Sequence, residues 1–340
     1  MDVFAITRAM IDIESITPNE EKIGDWLYNY VQPLAERYGG KIEKIEVEPG
    51  RNNVWAWWGT PEVVFSTHMD TVPPFIPSRE DDEYVYGRGA CDTHGLCAAM
   101  LKAVEALLEE GVRDLGILLV IGEEVDGRGA HFANQSPPEG VRWLINGEPT
   151  SNKLALGSKG TVRLEIEAKG KAAHSAYPEL GDSAINKLLD NLESLRRVEW
   201  PTHPVLGPST LNIGVIQGGP AANIISDHAS ASVVIRVVDD LEELKRIALG
   251  ALDERVTATV TTETPAIHME PIEGFETSIV KYTTDIPKLT NWGKPLLLGP
   301  GTIHVAHTLD ERVPKKEVAD AVDLYTRLVK QLKSTTKTTN

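Results

Sequence analysis

Cysteine is nearly absent from this chain: Cys91 and Cys97 are the only two, and they lie in one segment. A disulfide framework is therefore not expected, and a reducing cytoplasm is the expected location. Long apolar runs are missing as well, with no stretch near the ~20 residues that a spanning helix needs. The first residues, Met-Asp-Val-Phe-Ala-Ile-Thr-Arg, show neither the basic start nor the apolar core of a signal peptide. Basic residues are in deficit: lysine and arginine total 34 against 50 aspartates and glutamates, a net charge of -16. That balance disfavours nucleic acid and anionic membrane surfaces as partners. Repeats and low-complexity segments are absent too, apart from a polar tail after Lys333 that is expected to fray.

What is present suits an ordinary globular enzyme. The 340 residues are 41% apolar and 25% charged, enough for two cores of common domain size. Helical spacing runs over residues 3–38, with a break at Ser15-Ile16-Thr17-Pro18, where Thr17 is a candidate cap, and a second break or kink expected at Pro33. Strands are expected at 42–47, 54–58, 63–66, 117–121 and 141–145, and a helix carries Leu96, Met100, Ala103, Val104, Leu107 and Leu108 on one stripe. Short apolar strands alternating with helices predict an α/β core with a mostly parallel sheet.

Near Gly160 the pattern changes. Residues 161–168 alternate strictly, as in a sheet with one wet face. A helix at 182–195, strands at 211–216 and 231–238, a helix at 241–252 and a strand at 256–260 give the order β-α-β-β-α-β of a split βαβ sandwich. The α/β pattern then returns with Leu296-Leu297-Leu298, a Gly-Pro-Gly turn and a closing helix over 315–332. Residues 159–269 are thus expected to be inserted into a domain made of 1–158 and 270–340.

Five stretches place metal-binding side chains just after an apolar run or a glycine-rich turn: His68-Met69-Asp70, Asp92, Glu123-Glu124, Glu148 and His307. Two histidines and several carboxylates, with no cysteine, form a ligand set suited to hydrolytic zinc or a similar divalent ion. Cys91, beside Asp92, is read as a small buried filler. In open α/β sheets ligands bind beyond the carboxyl ends of the strands, and three of the five stretches follow strand ends. Hydrolysis of an unactivated amide needs a nucleophile at neutral pH and stabilisation of the oxyanion. Two metal ions a few ångströms apart can supply both, and a general base takes the proton from water. Adjacent side chains of an extended segment point in opposite directions, so one of Glu123 and Glu124 can bind metal while the other faces the water. Asp70 can reach round to orient the His68 imidazole.

These residues carry a resemblance. Ser-Thr-His68-Met-Asp70, Gly-Arg-Gly-Ala-Cys-Asp92, Gly-Glu123-Glu124, Asn-Gly-Glu148-Pro and Gly-Pro-Gly-Thr-Ile-His-Val-Ala-His307 resemble, in order, the motifs of the M20 metallopeptidases. That family includes acetylornithine deacetylase, succinyl-diaminopimelate desuccinylase, aminoacylases and glutamate-type carboxypeptidases. The resemblance implies a phosphorylase/hydrolase-like catalytic domain with an inserted, ferredoxin-like lid that forms a homodimer interface. It implies two Zn2+ ions, with Co2+ or Mn2+ as substitutes. Asp92 bridges them, His68 and Glu148 complete one site, and Glu124 and His307 complete the other. Glu123 becomes the general base and proton donor, and Asp70 holds His68. In the lid, Gly-Lys-Ala-Ala-His174 matches a histidine that stabilises the oxyanion, and Asn223 and Arg236 match positions that hold the substrate carboxylate; Gly301 lies where the backbone approaches the substrate.

One position departs from the family pattern: His94 stands where a lysine is common, which bears on specificity and not on the metal site. His203, His228, His268 and His304 are read as structural or surface residues. The expected activity is removal of the acyl group from an N-acyl amino acid. Dipeptidase, aminopeptidase or glutamate-type carboxypeptidase activity is the alternative, and a non-catalytic binding protein on this fold is a third reading.

Overall fold

The structure, a computed structural model, describes residues 1–336. Its principal elements, in chain order, are helices α1 (Val3–Ile11) and α2 (Glu21–Tyr38), strands β1 (Lys41–Glu48), β2 (Arg51–Trp58) and β3 (Val63–His68), helix α3 (Gly95–Glu109), and strands β4 (Leu115–Val120) and β5 (Trp143–Asn146). There follow β6 (Gly160–Lys169), α4 (Ala184–Arg196), β7 (Leu211–Gly218), β8 (His228–Val237), α5 (Leu241–Gly250) and β9 (Val256–Thr264), and finally β10 (Lys294–Leu297) and α6 (Lys315–Thr336). The remainder of the polar tail lies outside the described residues. Among the described residues, no helix is long and apolar enough to cross a membrane.

Two compact units divide the chain. The first comprises Met1–Leu156, Met269–Ser278 and the chain from Thr284 onward; the second comprises Gly157–His268 and a return segment, Ile279–Thr283. That segment falls outside the expected insertion. It belongs to the second unit because the Lys159 N–H donates to the Val280 carbonyl, and the Thr161 and Thr283 hydroxyls lie 3.2 Å apart.

The first unit is a mixed α/β fold around a six-stranded sheet of order β1-β2-β4-β3-β5-β10. β4, β3, β5 and β10 pair in parallel, while β2 runs antiparallel to both β1 and β4. β3 and β4 are buried at every position, as strands covered on both faces must be. Alternation sends Leu115, Ile117 and Leu119 into the core shared with α1, α2, α3 and α6, and Leu118 and Val120 into a second core with Trp55 and Trp292. The two cores immobilise the central strands, so whatever follows their carboxyl ends is held on a rigid base.

Two local expectations need correction. α2 continues through Pro33 to Tyr38. A helix-interior proline costs roughly 3 kcal/mol, and burial of Ile23, Leu27, Val31 and Leu34 on one face offsets it. Thr17 is not a cap, since α2 begins at Glu21 with no side-chain cap bond; its hydroxyl is used elsewhere, as described below.

In the second unit, β7-β8-β6-β9 form an antiparallel sheet, with the chain order β-α-β-β-α-β. Val162, Leu164, Ile166 and Ala168 of β6 pack with Leu188, Leu192 and Leu195 of α4 and with Leu244 and Ala248 of α5.

Candidate metal centre

The sheet of the first unit delivers three of the five stretches directly. His68 is the last residue of β3, Glu123-Glu124 follow β4 after a turn at Gly122 (φ 73°), and Glu148 stands two residues beyond β5. Asp92 and His307 come from loops, and His307 has a left-handed φ of 63°, which is uncommon outside glycine.

Asp92 lies at the middle of the cluster. His68 Nε2 is 3.0 Å from its Oδ1, and His307 Nε2 is 3.4 Å from its Oδ2. Glu124 flanks His307, its two oxygens 3.0 and 3.1 Å from Nε2, and Glu148 Oε1 is 3.9 Å from His68 Nε2. Ligand atoms of His68, Asp92 and Glu124 lie within 4.8 Å of one another. One carboxylate thus presents a different oxygen to each of two imidazoles, each accompanied by a glutamate.

The electrostatics of this group are unbalanced without cations. Burial pushes the Glu123, Glu124 and Glu148 carboxyls above their usual range, and the charges of Asp285 on Glu123 and of Asp92 on Glu148 push further. Burial would also raise Asp92, but hydrogen bonds from His307 and His68 outweigh it and hold that carboxyl low. Burial would depress the His68 imidazole, yet Asp70 and Asp92 hold it well above its ordinary value. Asp92 and then Glu124 raise His307 to about 10. Glu148 Oε1, fully buried, has no hydrogen-bond partner among the described residues. A buried surplus of carboxylates with an orphaned oxygen is costly unless it is neutralised, and a donor set of two imidazoles and three carboxylates fits a pair of divalent cations.

Asp70 does more than face the imidazole. Its main-chain carbonyl lies 2.9 Å from His68 Nδ1, closer than its carboxylate at 3.5 Å. The carboxylate accepts the main-chain N–H of Glu123 and of Glu124, and the Thr17 hydroxyl at 2.6 Å. It therefore ties the end of β3 to the turn that carries both glutamates. Thr93 clasps the same strand end, its hydroxyl donating to the His68 carbonyl at 2.8 Å. His94 is buried and pushed down to about 4 by that burial; its Nε2 lies 3.2 Å from the Met69 carbonyl. Cys91 is buried and free, with Sγ 3.2 Å from the Thr302 carbonyl.

The chain matches the family described as peptidase family M20/M25/M40 over residues 64–331. It is 36% identical over 338 residues to a peptidase M20 domain-containing protein of Schizosaccharomyces pombe, covering 96% of this chain and 84% of that protein. A probable carboxypeptidase of Talaromyces marneffei is 36% identical over 387 residues, covering 96% and 85%. This chain belongs to the M20 peptidase family. It is accordingly a metallopeptidase-type hydrolase acting on peptide bonds. Among solved structures, an aminopeptidase of Bacillus cereus has a TM-score of 0.80 over 97% of this chain and 98% of that one, at 18% identity, a likeness of fold.

The remaining M20-like positions are placed as follows. In the second unit, His174 is paired across a short ribbon with Ile224, and the Asn223 carbonyl accepts the Ser175 N–H, so His174 and Asn223 are neighbours. His174 Nδ1 accepts the Ala176 N–H, which leaves the proton of the neutral ring on Nε2. Arg236 lies on β8 opposite Thr161, to whose hydroxyl it donates at 2.8 Å; no ion pair to a carboxylate is found for it among the described residues. Gly301, in the first unit, is tied to other segments: its N–H donates to the Glu317 carboxylate on α6, its carbonyl accepts from Ser151, and its φ of 81° and the Cys91 sulfur leave no room for a Cβ. That main-chain N–H is already used by the Glu317 carboxylate.

Four residues near the centre were not assigned to it from the sequence: Thr17, Thr93, Glu311 and Asp285. Asp285 is buried with an unpartnered Oδ1, 3.7 Å from the Lys288 ammonium; burial raises it from 3.8 to about 6. Only the Thr-Pro dipeptide at position 17 carried a local signal, and it signals a chain break, not a contact.

Proposed function

We propose that this protein is a dinuclear amidohydrolase that removes the acyl group from an N-acyl amino acid, and that zinc is its ion. The observation carrying this reading is the pair of imidazoles facing opposite oxygens of Asp92. His68, Asp92 and Glu148 would hold one ion, and His307, Glu124 and Asp92 the other. When bound, two such ions make water nucleophilic at neutral pH and polarise the scissile carbonyl.

The chain's own groups do the rest. Glu123, raised by burial and by Asp285, is basic enough to take a proton from water and to return it to the leaving nitrogen. Asp70 keeps the Glu123-Glu124 turn in register with His68 through the three main-chain contacts described above. His174, with its proton on Nε2, is a donor for the oxyanion. Asn223 and the Arg236 fork hold the substrate carboxylate. In this reading Gly157–His268 serves as a lid and as the surface of a homodimer, working in the cytoplasm. A second reading, carboxypeptidase activity on short peptides, is favoured by the likeness to the probable carboxypeptidase of Talaromyces marneffei.

Purified protein supplied with Zn2+ or Co2+ and offered N-acetyl and N-succinyl amino acids, dipeptides and longer peptides separates the two. The expected result is a higher kcat/KM for the N-acyl amino acids. A preference for peptides cut at the carboxyl end selects the second reading, and two bound ions with no turnover of any amide refutes both.

A further inference from the structure

Asp92 and His307 both come from loops, and one buried pair joins the loops to each other. Glu311, four residues beyond His307, is 2% exposed and sits among main-chain donors of the other loop. Its Oε1 accepts the N–H groups of Gly89 at 3.0 Å, Cys91 at 3.2 Å and Asp92 at 3.2 Å. Its Oε2 accepts from Arg88, which is also 2% exposed, across 223 positions of sequence. A further main-chain bond runs from the Gly87 N–H to the Glu311 carbonyl. The converging N–H groups, with Gly89 at φ 86°, form the kind of concave anion nest that backbone amides make, here filled by a side chain of the same protein.

Between His307 and Glu311 the chain has little else to rely on. The His307 side chain is 49% exposed, its φ is positive, and Leu309 next to Glu311's turn is 80% exposed. Among the described residues, Thr308 and Asp310 bond only within the loop or to Arg312 beside it, Arg79 excepted at 3.8 Å from Asp310. Glu311 is the first residue after His307 that is both buried and bonded to another ligand-bearing segment. His68, by contrast, is fixed by its strand and by Thr93, neither of which Glu311 touches.

We infer that the Arg88–Glu311 pair is a positioning strut that sets the spacing of Asp92 and His307, and so governs the ion held by Glu124 and His307 more than the ion held by His68 and Glu148. This rests on the two-ion reading above. Outer groups that orient ligands typically change metal affinity by about 10–100-fold. Glu311→Gln keeps an oxygen for the three N–H groups but opposes an amide N–H to Arg88; Glu311→Ala removes both contacts.

The test is titration of metal-free protein with Co2+, followed by calorimetry and by the Co2+ absorption spectrum, with circular dichroism to establish the fold. The unaltered protein should bind two Co2+ in two steps. In Glu311→Gln the second step should weaken about tenfold and in Glu311→Ala about a hundredfold, with the first step changed less than about twofold. Two ions binding equally weakly in the variants overturns the strut, as does binding indistinguishable from the unaltered protein, or failure of both variants to fold. Fewer than two Co2+ on the unaltered protein overturns the two-ion reading itself, and the strut falls with it.

Discussion

His68 and His307 face the two oxygens of one carboxylate, yet the protein holds them by different means. His68 is 1% exposed, ends a strand buried at every position, and has its main-chain carbonyl clasped by Thr93. His307 is half exposed, stands on a loop in a left-handed conformation, and among the described residues bonds through its ring only to Asp92 and Glu124. One half of the centre is thus built by the sheet, and the other joins Glu124 from the sheet to loops tied together across long stretches of sequence. A catalytic centre needs positional accuracy at the reacting atoms and an open side for exchange. The buried half suits the first need and the exposed half the second.

The largest effect expected is on chemistry with both halves intact. Glu123→Gln should retain two ions and lower kcat by about 10²–10⁴-fold, the usual worth of a general base. Turnover assays paired with metal analysis check this, and full activity would move the base to another residue.

Next comes the comparison itself. His68→Ala leaves Asp92 with the His307 imidazole alone and Glu148 buried beside none, so the metal-free protein should lose about 3–5 kcal/mol in urea denaturation. His307→Ala removes a half-exposed partner and should cost about 1 kcal/mol or less. Equal losses would break the contrast drawn here.

An effect confined to one pH window concerns Asp285, beside the buried half. Its carboxyl, at about 6 against 3.8 when free, binds its proton more tightly in the folded protein than in the unfolded chain. Its contribution therefore falls as pH rises from about 4 to 6. Asp285→Asn lacks this dependence, so the variant should gain on the parent across that window, by up to about 3 kcal/mol. Urea melts of metal-free protein at successive pH values measure the gain; a constant difference would assign the buried charge elsewhere.

How far these features could be read in advance follows from where their meaning resides. His68, Glu123, Glu124 and Glu148 announce themselves because metal-binding side chains directly follow apolar strands. The apolar run of β4 and the strict alternation of β6 likewise carry their burial in their composition. Thr17, Glu311 and Asp285 are ordinary residue types whose roles arise from folding: Thr17 meets Asp70 across 53 positions, and Glu311 meets Arg88 across 223. The return segment Ile279–Thr283 is similar, being assigned by the contacts it makes with residues 159–161. Pro33 misleads in the opposite direction, because its local cost is outweighed by the apolar face on which α2 lies.

Thr17 has one further consequence. The match to the M20 family begins at residue 64, which would tempt an engineer to trim the chain there or to transplant that portion alone. Such a piece would carry every proposed metal ligand and still lack the hydroxyl that grips the Asp70 carboxylate at 2.6 Å, together with Ile6, Met10 and Ile11 from the core beneath it. The smallest portable form of this centre therefore begins at α1, within the first few residues of the protein.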